Sequence, residues 1–434
     1  MKTNKRADGK TAVGKKALVL AGGGVAGIAY ELGVLHALDR TLLDMSVNDF
    51  DIFVGTSAGA TLAALLANGF TPGKILRAVE GDHQRTRPFL RRDLWRFDLS
   101  PFLRAGVRIP GRLLSAGQRY LSDLRDGNLF GTLWVLLDLL PPALYDSATL
   151  EAYLRELIAD LGGSNQFDEL AKELDIIATR LDTGQRAVFN QDSRVRISEA
   201  IAASSAVPGL YKPVRLNGVD YVDGGVRGNA SIDLAVERGA TLVVCINPIV
   251  PYDAQEEADE QADANGLNGL QESQVSMQAV LSQTLRARIH AGLHYHVKHL
   301  RHVYPEVDFY TIEPPQNDGN MSAPNLMRFG DRMEIARRGF ETAVWQLAAD
   351  EPTWQAMWQR HQVAVWPGLD ADEQEQITQA ADQAATLRQL LQTDWPPPMK
   401  NRPSEVPSLR LSHVLDQLDG AIGRAQRPTK VSSL

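Results

Sequence analysis

With 434 residues, 44% of them hydrophobic and 23% charged, the chain has the composition of a globular protein large enough for two or three domains. A net charge of −8 argues against nucleic acid as a partner, and the single cysteine, Cys245, excludes an intrachain disulfide. No run of about 18 apolar residues is present, so no membrane-spanning helix is expected and the expected location is cytoplasmic.

Residues 1–16 carry six lysines and arginines against one acid, Asp8, and are expected to form a basic disordered tail. Ala17-Leu18-Val19-Leu20-Ala21 then runs apolar without alternation, the pattern of a strand buried on both faces. Five residues before a glycine triplet are too few for the apolar core of a signal peptide. Gly22, Gly23 and Gly24 follow. Ile28, Leu32, Leu35 and Leu38 then recur at helical spacing. A strand, a glycine loop and a helix together present backbone N–H groups to an anion. Two uses compete for this loop. Gly22-x-Gly24-x-x-Gly27 fits a dinucleotide fingerprint, which would also want an acid after a second strand; here Asp49 and Asp51 precede that strand. An oxyanion hole fits better, because the second strand leads to a serine.

That serine lies in Gly55-Thr56-Ser57-Ala58-Gly59, a G-x-S-x-G stretch. The apolar run Asp51–Val54 precedes it and a helix-like run, 60–69, follows. Strand, sharp turn and helix form the context of a nucleophile elbow, where glycine is needed because the two elements approach too closely for a Cβ. Further on, Tyr221-Val222-Asp223-Gly224-Gly225 follows a stretch of small residues, Ser198–Pro213. The glycine triplet, the serine motif and this Asp-Gly-Gly, in that order over about 200 residues, resemble the patatin-like phospholipase family. The resemblance implies a three-layer α/β/α fold with a central, mostly parallel sheet. It also implies a Ser57 nucleophile, an Asp223 general base, an oxyanion hole at Gly22–Gly24, and an elbow framed by Gly55 and Gly59. The substrate implied is a phospholipid or related acyl ester, with no metal and no cofactor. One departure from the family pattern is Ala26, where members commonly carry Arg or Lys.

The catalytic domain is expected to span 17–335, with a helical insertion at about 82–145. From Arg85 to Arg125 there are ten arginines and three acids, interleaved with Phe89, Trp95, Phe97 and Phe102. Leu129–Leu140 then runs apolar, interrupted by Asp138. Two roles stay open for this segment: contact with an anionic membrane surface, peripheral at the inner membrane, or a helical cap with its arginines in solvent. Residues 175–179 and 186–190 are expected to form a hairpin whose turn holds Asp182. A helix (232–238) and a strand (241–246) containing a buried Cys245 continue the α/β alternation.

An acidic, polar segment, 253–274, is expected to be a loop. The helix-like stretch 276–302 holds five of the nine histidines: His290, His294, His296, His299 and His302. With no acid before Glu306 it argues against zinc and for an exposed basic helix. A last strand at 307–312 precedes a helical C-terminal extension, 336–434, anchored by Trp345, Trp354, Trp358 and Trp366.

Serine needs a base, by custom a histidine held by an aspartate. The order Ser57, Asp223, His290–His302 leaves such a triad open, whereas the family resemblance implies a Ser-Asp dyad and an acyl-enzyme. Two other classes remain as alternatives: a nucleotide-binding oxidoreductase using the glycine loop, and a non-catalytic peripheral membrane adaptor.

Overall fold

The computed structural model describes residues 14–80, 86–87, 89–94, 145–252, 277–316, 332–349 and 351–365. Most of the basic tail, most of the arginine-rich insertion with the run 129–140, all of the acidic segment and everything after 365 lie outside the described residues.

In chain order the elements are β1 (Lys15–Leu20), α1 (Gly24–Thr41), β2 (Ile52–Thr56), α2 (Ala58–Ala67), α3 (Pro72–Glu80), α4 (Arg91–Leu94), α5 (Ala148–Asp160), β3 (Glu173–Arg180) and β4 (Arg186–Phe189). They continue with α6 (Ile197–Ser204), β5 (Val214–Leu216), β6 (Val219–Asp223), α7 (Ile232–Glu237), β7 (Ala240–Ile246), α8 (Met277–Val303), β8 (Asp308–Ile312), α9 (Arg332–Ala349) and α10 (Glu351–Arg360). One eight-stranded sheet carries the order β5-β6-β3-β2-β1-β7-β8, with β4 also on β3. The run from β3 to β8 is parallel throughout, while β4 and β6 pair antiparallel to β3.

The unalternating apolar strands are explained by burial on both faces. Leu18 and Leu20 of β1 point into a core shared with α1, α2, α5 and α9. Ala17 and Val19 point into a second core shared with α7 and α8. Successive side chains of a strand leave on opposite sides, so both sets must be apolar when helices cover both faces. The expected three-layer α/β/α arrangement is therefore present.

The strand pairing also decides where the functional motifs meet. β2 pairs with residues 173–177 of β3, ending with Thr56 opposite Ile177. β6 pairs with residues 178–180, ending with Asp223 opposite Ala178. β4 pairs with 176–179 and so must take the opposite edge. β2 and β6 thus lie end to end along one edge of β3, and their C-terminal ends abut.

Two expectations are corrected. The boundary placed between 335 and 336 falls inside α9, whose Ile335, Ala336 and Ala343 belong to the same core as α1, as do Trp354 and Trp358 of α10. The described part of the extension is thus continuous with the α/β body. Nor is α8 an exposed basic helix. Leu293, Val297 and Leu300 are buried against the sheet, and Arg286 is only 2% exposed, donating from Nη1 to the Val250 carbonyl at 3.3 Å. Within the insertion, Arg87 is held by Asp93 (2.8 Å) and Glu156 (3.2 Å) and lies over the Tyr153 ring. That arginine is engaged by protein partners while 37% of its side chain stays in solvent.

The contact between α1 and α9 rests on two glycines. A Cβ on Gly33 would overlap the Ala336 carbonyl, and one on Gly339 the Tyr30 carbonyl. Gly33→Ala is accordingly expected to cost about 1–3 kcal/mol of stability in urea unfolding. An unchanged midpoint would show that α9 does not press on α1.

Candidate active site

Ser57 stands between β2 and α2 with φ 52° and ψ −119°, a left-handed conformation for a residue with a Cβ. Such backbone costs about 1–3 kcal/mol and persists only where the surroundings enforce it. Here they do. Gly59 lies against the Leu20 carbonyl, where any Cβ would collide, and Gly55 lies against Ala60 and the Gly59 carbonyl. The Ser57 N–H donates to Ser204 Oγ at 2.7 Å, and that hydroxyl donates in turn to the Ile177 carbonyl at 2.5 Å. Ser204 therefore pegs the strained turn to β3 from the end of α6.

Asp223 arrives from the other side. Its N–H donates to the Ala206 carbonyl at 2.9 Å, and its Oδ1 accepts from the Gly225 N–H at 2.7 Å. Its Oδ2 is buried with no partner at hydrogen-bond geometry. Burial pushes the Asp223 carboxyl up to about 6, against the opposing pull of the Ser57 hydroxyl and the Gly225 N–H beside it. Ser57 is thus close enough to act on this carboxyl without closing a full hydrogen bond, a looseness common where no substrate is bound. Among the described residues, neither Asp223 oxygen is hydrogen-bonded to a histidine. His290 and His294 instead face Glu313, and His361 faces Asp308. Asp182 forms a turn pair with Arg180 in the open.

The glycine triplet divides its labour. Gly22 donates its N–H to Asn229 Oδ1 (3.0 Å), and its carbonyl accepts from Asn229 Nδ2 (3.1 Å). Both its polar groups are thereby engaged, so Gly22 anchors the loop. Gly23 caps α1 and Gly24 opens it with φ 63°. Their N–H groups head the helix, where the macrodipole favours negative charge. Ala26 lies one turn into α1, 6% exposed within the core. An Arg or Lys there would have to leave that packing, a physical setting for the departure from the family pattern.

Ser57 and Gly24 line an apolar cavity of about 100 Å³, together with Ile28 and Ala29 of α1, Thr61 and Leu65 of α2, and Leu154 of α5. Its walls suit a hydrocarbon chain and offer little to a charged group.

A family model described as patatin-like phospholipase matches residues 18–236, half of the chain. The chain belongs to the patatin-like phospholipase family. It is 23% identical over 226 residues to a probable lipid hydrolase, 463L, of Invertebrate iridescent virus 6, covering 51% of this chain and 63% of the viral protein. It is 28% identical over 238 residues to the uncharacterized protein YjjU of Escherichia coli (strain K12), covering 54% of this chain and 52% of that one. The chain thus spans between half and two thirds of the length of these relatives. Among solved structures it is similar to VipD from Legionella pneumophila, with a TM-score of 0.31, 15% identity and coverage of 96% of this chain and 92% of that one. Against the type III effector ExoU the TM-score is 0.32, with 17% identity and coverage of 96% and 66%. The matched family region contains the patatin-like glycine loop, Ser57 and Asp223 together.

Sequence reasoning missed Ser204, Asn229 and Asn247. Ser204 lay within the small-residue stretch already singled out, but nothing local marks a hydroxyl that pegs a turn 147 residues away. Asn229, buried four residues after Gly225, is a polar residue at 5% exposure, which only the fold reveals.

Ser204→Ala would leave the buried Ser57 N–H without its acceptor, at an expected cost of about 1–3 kcal/mol in urea unfolding. A midpoint equal to that of the wild type would show that the elbow does not depend on this peg.

Proposed function

We propose that the protein is a serine lipid acyl hydrolase that cleaves fatty-acyl esters of phospholipids or related lipids through a Ser57–Asp223 dyad. The observation that carries the proposal is a strained, buried Ser57 that lines an apolar cavity beside a buried carboxyl raised to about 6. The family match and the relative described as a probable lipid hydrolase support the same class of chemistry.

In the proposed cycle, Ser57 Oγ attacks the ester carbonyl as Asp223 Oδ2 accepts its proton. The N–H groups of Gly23 and Gly24 hold the oxyanion that forms. Collapse of the tetrahedral intermediate breaks the ester C–O bond, and the proton on Asp223 passes to the departing alcohol. Water then attacks the acyl-enzyme while Asp223 accepts a proton, which returns to Ser57 Oγ as the fatty acid leaves. Burial serves this cycle directly: a carboxylate near pKa 6 is a far better base at neutral pH than one near 4. Among the described residues no histidine donates to Asp223, which favours the dyad over the triad.

Ser57→Ala and Asp223→Asn are each expected to lower p-nitrophenyl ester hydrolysis on the order of 10³-fold or more. Full activity in either variant would refute the dyad. In the wild type, kcat/KM should rise about tenfold per pH unit up to about 6 and then level off, because the base must be ionised.

Stability should move the opposite way. A carboxyl whose pKa is higher folded than unfolded binds its proton more tightly in the fold. Stability therefore falls as pH rises from about 4 to about 6. Asp223→Asn removes that loss, so its urea midpoint should exceed that of the wild type at pH ~8 and match it near pH ~4. A midpoint below wild type at the higher pH would show that Asp223 stabilises the fold.

Chain-length preference should follow the cavity. Thr61→Leu narrows it and is expected to lower kcat/KM for long-chain p-nitrophenyl esters several-fold while sparing the acetate. An equal loss on both would place the acyl chain elsewhere.

A further inference from the structure

The histidines of α8 find no carboxylate on their own helix. The fold supplies one from β8. Glu313, the residue after the last of β8, lies against the α8 face that carries His290 and His294. Its Oε2 is 2.8 Å from His294 Nε2 and 3.5 Å from His290 Nε2. The two imidazoles, one helical turn apart, stand 4.2 Å centroid to centroid. Two ring nitrogens and a carboxylate oxygen therefore converge within 4.8 Å of one another.

A hydrogen bond accounts for one of these approaches. The second imidazole aims the same nitrogen at the same oxygen from 3.5 Å, at the outer limit of hydrogen-bond length. That spacing matches the edge of a tetrahedron around a cation with bonds near 2.1 Å, which is about 3.4 Å. The remaining oxygen, Glu313 Oε1, accepts from Asn247 Nδ2 at 2.6 Å, the kind of outer hydrogen bond that orients a ligating carboxylate. His294 is 55% exposed, which leaves a side open to water.

The same hydrogen bonds lead inward. Asn247 Oδ1 accepts from Asn229 Nδ2 at 3.0 Å, and Asn229 holds both polar groups of Gly22. Glu313 is thereby linked through two buried asparagines to the glycine loop.

We propose that His290, His294 and Glu313 form a site for a divalent first-row transition cation of the Zn²⁺ class, and that the bound ion braces the glycine loop through Asn247 and Asn229. Two imidazoles and one carboxylate suit Zn²⁺ and its neighbours. Ca²⁺ and Mg²⁺ take oxygen ligands and should not compete.

The test uses the untagged full chain, stripped with EDTA and titrated with Co²⁺ as a visible probe. About one Co²⁺ per chain should give ligand-field absorption that Zn²⁺ abolishes and Mg²⁺ does not. His290→Ala and Glu313→Gln should each weaken Co²⁺ binding at least tenfold. His299→Ala, an exposed histidine of the same helix, should bind as the wild type does. Circular dichroism establishes that each variant is folded, and a Zn²⁺-dependent rise in Tm should be present in the wild type and lost in His290→Ala. No ligand-field band in the wild type, or a band unchanged in both ligand variants, would overturn the site. Amide hydrogen exchange across residues 21–27 should slow when Zn²⁺ binds; binding without slowing there would overturn the brace. These readouts are independent of ester turnover, so failure of the metal site and failure of the hydrolase proposal are separable.

Discussion

The end-to-end meeting of β2 and β6 along one edge of β3 is the constraint on which the candidate site depends. A parallel strand ending opposite Ile177 and an antiparallel strand ending opposite Ala178 bring two C-terminal ends together. At such a junction the chain must turn out of the sheet twice within a few ångströms. One exit is Ser57, forced to positive φ; the other is Asp223, whose side chain caps its own turn through the Gly225 N–H. Ser204 closes the seam by donating to β3 and accepting from the elbow. Move the register of either strand by one residue and the side-chain alternation would point serine and aspartate to opposite faces.

The same junction explains why the site is costly to fold. It stores backbone strain at Ser57 and keeps a carboxyl away from water at Asp223. Local hydrogen bonds offset only part of this: Ser204 holds the Ser57 N–H and the Gly225 N–H holds Asp223 Oδ1, but Asp223 Oδ2 has no partner at hydrogen-bond geometry among the described residues. Compensation comes from the sheet's two-sided burial and from close helix contacts such as that of α1 with α9, where backbone rather than side chain is in touch. A rigid surround is what allows a few kcal/mol of strain to persist at one corner. The described helices after β8 are therefore energetically part of the α/β body, although their polar composition reads as an appendage.

Local features were legible in the sequence because their causes are local. The glycine triplet, the G-x-S-x-G turn and Asp-Gly-Gly each announce a backbone geometry within a few residues, and the apolar runs announce strands covered on both faces. Features that depend on register were not legible. Ser204, Asn229 and Asn247 are ordinary small polar residues until β-pairing places them under the loop. The histidines of α8 showed the same limit: helical spacing aligned His290 with His294, but their carboxylate comes from 19 residues further on, across a strand. The family resemblance gathered Ser57 and Asp223 as candidates, yet it credited Gly22 with a free amide that Asn229 in fact occupies.

That occupation carries a consequence for how the site keeps its geometry. Ser57 is pegged by Ser204, which follows Ile177 of β3. Asp223 is paired to Ala178 of β3, and Asn229, just beyond Asp223, fixes Gly22. The proposed nucleophile, the proposed base and the glycine loop are therefore all positioned from the β3–β6 corner. A displacement of that corner would carry the three groups together and preserve their mutual distances, which an acyl transfer needs to within a fraction of an ångström. Most of the cavity wall comes from α1, α2, α3, α5 and α9, with Ser57, Gly24, Ser205 and Val207 completing it, so wall residues away from those four can vary without disturbing that alignment. In the proposed hydrolase, chemistry and chain selection would thus be largely separable, with Ala26 on the α1 side of the division.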